Sequence, residues 1–220
     1  MMRTITVKGI GKVSAAPDLV VLSMKLESQD MDYETAMNNA AENIKILNSA
    51  LEQVGFEKEA VKTTNFNIQT DYDYKRRKDG TSVRIFAGYI VSHNLKVEFD
   101  FDSQRLTKAL SAIGSCLAHP QLSIAFTVKD ATAINEEMLR SATANAKQKA
   151  EVLCEASGTK LGILLSIDYN WGELNIYSDT HYNIADECLG APAETGCASI
   201  DIEPDDIEVN DFATFVWEIG

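Results

Sequence analysis

Apolar residues recur every three or four positions in three stretches of the chain and every second position in several others. Residues 32–54 place Met37, Ala40, Ile44, Leu47, Leu51 and Val54 on one helical face, with Asp32 as N-cap and Gly55 as stop. Residues 103–114 predict a second helix that buries Leu106, Ala109, Leu110 and Ile113. Residues 131–157 predict the longest one, ended by Gly158, with Met138, Leu139, Ala142, Ala146, Ala150 and Leu153 as its stripe. The small residues in that stripe allow it to lie close against a sheet or another helix.

Most of the remaining apolar positions follow the period of a β-strand. Strands are predicted at Ile5–Val7, Leu19–Glu27, Val61–Tyr74, Val83–Asp100, Gln121–Lys129, Leu161–Tyr169, Ile207–Val209 and Phe212–Ile219. Asp79-Gly80 marks the turn between the third and fourth of these, and Gly88 a bulge or bend in an unusually long strand. Residues 19–129 thus read strand–helix–strand–strand–helix–strand, the split β-α-β order. The class is α+β, a largely antiparallel sheet with helices on one face. To that core are added a long Ala-rich helix and closing C-terminal strands. A strand pair at each end implies that the chain returns to finish its sheet. Residues 1–220 are expected to form one domain, with any sub-division falling between 1–130 and 131–220.

Charge is distributed unevenly. The net charge is −13, and residues 161–220 contribute 13 acidic side chains with no Lys or Arg. This argues against nucleic acid as a partner, since phosphate binding needs clustered cations. The densest positive run, Lys75-Arg76-Arg77-Lys78, falls at a predicted hairpin tip and is the candidate interaction site. Contact between it and the acidic C-terminal part, within or between subunits, is electrostatically reasonable. No apolar run reaches the length of a membrane span or a signal peptide, so no membrane span and a cytoplasmic location are expected.

Candidate chemistry is sparse. Gly9-Ile10-Gly11-Lys12 lacks the Gly-Lys-Ser/Thr and following helix of a phosphate loop, and reads as a turn joining strands. His93 lies between Val91 and Leu95 in an inward register and reads as a satisfied sheet histidine. Cys116 and His119 lie close in sequence with no recognisable orienting acid. His181, Cys188 and Cys197 share an acidic stretch but contain no Cys-x-x-Cys pair. Asp201, Glu203, Asp205, Asp206 and Glu208 lack the spacing of a calcium loop. The four cysteines are too scattered for a disulfide framework and read as free thiols. No catalytic residue, metal site or cofactor is assigned.

Several segments, taken in order, resemble the SIMPL-domain family of unknown function. They are Gly9-x-Gly11-x-Val13 with Pro17-Asp18; Thr63-Thr64 to Tyr74 followed by Gly88-Tyr89; Lys147-Gln148-Lys149-Ala150-Glu151; Gly158-Thr159-Lys160-Leu161-Gly162; and Ile202 to Val209. Asp205 stands where family members often have Gly after the proline. The resemblance implies an α+β fold, a tendency to large oligomers and links to oxidative-stress defence. It supplies no catalytic residue. Many bacterial members are exported, some of them as periplasmic or outer-membrane immunogenic proteins. The expected function is a non-enzymatic, self-associating scaffold or stress-related protein. The alternative is a small-ligand or cation-binding protein using the acidic C-terminal region.

Overall fold

The computed structural model describes residues 3–77, 80–169, 174–180, 202–220 and the backbone of 182–184. The class is α+β, with antiparallel strand pairing. The strands are β1 (Thr4–Ala15), β2 (Leu19–Asp30), β3 (Lys62–Arg76), β4 (Ser82–Asp100), β5 (Gln121–Thr127), β6 (Leu161–Asp168), β7 (Tyr182–Ile184) and β8 (Ile207–Ile219). The helices are α1 (Tyr33–Gln53), α2 (Ser103–Gly114) and α3 (Ala131–Ala156), and a 3-10 turn spans Lys58–Ala60.

The strands divide between two sheets rather than forming one. A three-stranded sheet has the order β1-β8-β6 and a five-stranded sheet the order β3-β4-β2-β5-β7. The chain does return on itself, but the closing strand pairs with the opening one in the smaller sheet. Two compact units result. One comprises residues 1–18, 126–180 and 204–220; the other comprises 19–125 and 181–203.

In the first unit, β1 and β8 pair over their whole length, from Thr4 opposite Glu218 to Ala15 opposite Ile207. One predicted turn and one expected break between strands are absent. Gly9–Lys12 lies inside a continuous β1, and Asn210-Asp211 inside a continuous β8. The reason for the first is α3, which packs along β1. A Cβ on Gly9 would collide with the backbone carbonyl of Ala142 and come 2.7 Å from the Ala146 Cβ. A Cβ on Gly11 would collide with the Met138 carbonyl. The glycines are therefore spaces for a helix, not hinges for a turn. Ile134, Met138, Ala142, Ala146, Ala150 and Cys154 form the buried row of α3, at a strict spacing of four. Leu153, one position off that row, is 51% exposed instead of buried. Two clusters fill the space beneath. One joins Val7, Ala146 and Ala150 to Phe215 and Trp217, and the other joins Val13, Ile134 and Met138 to Ile176, Ile207 and Val209.

In the second unit, α1 covers β2 and β4, where Ala36 and Ala40 pack on Val91. The Asp32 carboxylate accepts from the Thr35 N–H at 2.9 Å, as its N-cap position predicts. That bond holds the Asp32 carboxyl below the usual carboxylate range. The helix α2 buries Leu106, Ala109, Leu110 and Ile113, as the periodicity predicts. Pairing of β2 with β4 stops at Asp30 opposite Tyr89, whereas β3 and β4 continue to Arg76 opposite Ser82. A two-stranded ribbon therefore extends past the end of β2. At its base the β3–β4 register shifts beside Gly88, the expected bulge. Gly88 has φ 129°, and a Cβ there would meet the Asp30 carbonyl oxygen.

Candidate functional site

The basic tip lies at the end of the β3–β4 ribbon. Lys75, Arg76 and Arg77 are exposed, and Lys78 falls outside the described residues. Arg84 adds a further cation, stacked 3.6 Å above the Tyr72 ring. Tyr72, Phe86 and Tyr89 form an edge-to-face row along the ribbon, with centroids 5.7 and 5.2 Å apart. Tyr74 is 73% exposed.

The other candidate residues stand apart. His93 is partly buried on β4, and its Nε2 lies 2.8 Å from the Thr63 hydroxyl. Phe66 meets its ring edge-on, and burial pushes its pKa below the ordinary histidine value. It borders a groove of about 390 Å³ between α1 and β3, with Lys45 and Lys58 also among its lining. Cys116 is buried at the end of α2, while His119 is exposed; the two are linked only through a backbone hydrogen bond. Cys154 is a buried free thiol. His181, Cys188, Cys197 and Asp201 lie outside the described residues. Asp205 is held through its backbone, its N–H donating to Thr180 Oγ1 and its carbonyl accepting from the Ser178 hydroxyl. Among the described residues, no three His, Cys, Asp or Glu side chains converge as a metal site.

Sequence reasoning missed the two edges of the three-stranded sheet. Along β1, side chains of α3 bond the outward-facing backbone groups. The Lys12 N–H donates to Ser141 Oγ at 3.2 Å and the Ile10 N–H to Asn145 Oδ1 at 3.0 Å. Lys149 Nζ donates to the Lys8 carbonyl at 3.1 Å. Four residues of helix advance about 6 Å and two of strand about 6.8 Å, so an antiparallel helix stays in step with the strand for three contacts. Beyond Lys149 a shallow groove of about 550 Å³ opens, with Val152 and Leu153 on its wall.

The β6 edge carries no such cover among the described residues. Ile163, Leu164, Leu165 and Ile167 are 67%, 43%, 38% and 52% exposed. Two register shifts against β8 give β6 an extra residue on each side of Leu164. The sequence signal was the lack of alternation in Leu161–Ile167. Apolar residues on both faces usually mark a strand covered on both sides. Here they belong to an edge.

The chain belongs to the SIMPL family, described as a protein of unknown function (DUF541), whose model matches residues 5–217. Among its relatives are the 26 kDa periplasmic immunogenic proteins of Brucella melitensis and Brucella abortus. They are 27% and 26% identical over 163 residues. Each match covers 74% of this chain and 65% of the relative's length, so the chain spans somewhat less than two thirds of either. The cytoplasmic expectation is corrected by these relatives, which are named as periplasmic. It rested on the lack of an export signal in the residues read, and that absence assigns no compartment. Among the described residues no helix is long and apolar enough to cross a membrane.

Proposed function

We propose that the protein is a non-enzymatic scaffold that works by assembling with copies of itself, in the periplasm, as the names of its relatives suggest. One observation carries this reading: of the two edges of a small sheet, α3 side chains bond to one, and the other is apolar and uncovered among the described residues. Such an edge in a soluble protein is an association surface. The basic ribbon tip supports a second contact, to the acidic C-terminal segment of a neighbouring copy. Exposed pairs are worth only ~0–1 kcal/mol each and are screened beyond ~8 Å, so this contact adds register and salt sensitivity.

Sedimentation over a range of concentrations tests the reading. Concentration-dependent assembly supports it, and a strictly monomeric mass at high micromolar concentration overturns it. Changing Lys75, Arg76, Arg77 and Lys78 to Glu should weaken assembly and its salt dependence without lowering the melting temperature. Osmotic-shock fractionation of the native host tests the compartment.

A further inference from the structure

We infer that β6 pairs with β6 of a second copy, antiparallel, about a two-fold axis at Leu164. This rests on the self-association proposed above and specifies its interface and symmetry. The capped edge narrows the choice. A head-to-tail contact would need a free β1 edge, and Ser141, Asn145 and Lys149 already occupy the Lys12 N–H, the Ile10 N–H and the Lys8 carbonyl in its middle. The β3 edge of the larger sheet is predominantly polar and charged, from Lys62 through Asp71 and Asp73 to Arg76. It has the usual form of an edge kept from pairing. The apolar edge on β6 therefore has its best partner in another β6, the isologous arrangement expected of a two-fold dimer.

The segment is self-complementary when reversed. With Leu164 opposite Leu164, Ile163 falls opposite Leu165, Leu161 opposite Ile167, and Gly162 opposite Ser166. Lys160 then falls opposite Asp168, twice by symmetry. Both side chains are exposed. Neither has an ion-pair partner among the described residues. The extra residues of β6 lie on either side of Leu164, so in this register each irregularity faces its counterpart. A bulge that would spoil pairing with a straight strand is matched by the partner's own. Sliding the register by two would break both charge pairs and set bulges against regular strand.

A charge swap tests the register. Lys160→Asp and Asp168→Lys each place two like-charged pairs across the interface. Each should weaken the dimer by about tenfold in sedimentation equilibrium at low salt. The double variant restores opposite charges and should recover most of the affinity. Both side chains are exposed, so the melting temperatures should not change. In the same protein with Cys188 and Cys197 replaced by Ser, Leu164→Cys should form a covalent dimer on mild oxidation, since directly opposed strand residues lie within disulfide reach. If assembly persists but the swap fails to rescue it and Leu164→Cys does not cross-link, the β6 register is wrong while self-association stands. A monomer under all conditions overturns both.

Discussion

The β1 and β6 edges share one sheet and one neighbour, β8, yet they are finished in opposite ways. On β1, Gly9 and Gly11 let α3 approach until Ser141, Asn145 and Lys149 reach over the strand and bond its outer backbone groups. On β6, the residues that would end an edge are replaced by Ile163, Leu164, Leu165 and Ile167. Both begin from the same requirement, that backbone groups at an edge find partners. One strand meets it inside its own unit. The other has no such cover among the described residues. The difference shows that the glycine signature makes room for the helix that closes an edge.

The largest expected effect comes from removing the space on β1. Gly11→Val must push α3 off the strand, because the obstacle is the Met138 backbone carbonyl and not a movable side chain. A loss of at least about 3 kcal/mol in urea unfolding is expected, along with loss of the three edge bonds. Next is the bare edge. Ile163→Lys with Ile167→Lys should weaken self-association about a hundredfold or more, through lost apolar burial and introduced repulsion, with unfolding stability unchanged. Sedimentation and urea melts on one sample separate the two effects, and a protein that assembles unchanged would remove β6 from the interface.

Uncapping is intermediate. Ser141→Ala and Asn145→Ala should each cost about 1 kcal/mol of stability, since each leaves an edge N–H to water or to nothing. Hydrogen exchange at Ile10 and Lys12 should rise in both variants, and exchange along β6 in the monomer should not.

The smallest effect lies away from either edge. Burial lowers the His93 pKa, so the unfolded chain takes up this proton more readily than the folded one. Its contribution is therefore complete near neutral pH, and is lost as pH falls below the ordinary histidine value and through the folded one. His93→Gln keeps a partner for the Thr63 hydroxyl and should flatten that part of the stability curve. Urea midpoints between about pH 7 and pH 5 would show it. An unchanged curve would place the acid sensitivity in other groups.

Much of the local structure was legible in the chain. The helix α2 has the predicted bounds and the predicted buried face, because Leu106, Ala109, Leu110 and Ile113 report their period without reference to any neighbour. Asp32 caps α1 through its own side chain, a bond closed within four residues. Gly88 marked its bulge. The errors fall where the deciding contact is distant. Gly9 and Gly11 resemble turn residues until Met138 and Ala142, more than 120 positions away, are set against them. Leu153 resembles core until the strict four-residue row of α3 shows which line faces the sheet. The basic run at Lys75 was found from composition, yet neither edge was, because an edge is defined by which strands are adjacent.

By itself, then, the sequence determined the α+β class, the helices and the N-cap of the first, most strand positions, the charge asymmetry and the family. Those depend on short-range periodicity and composition. Only the tertiary structure decided that the strands form two sheets, that β1 runs unbroken under α3, and that β6 is an apolar edge. These depend on pairing between segments as far apart as Thr4 and Glu218, and no local pattern encodes which strand will lie beside which.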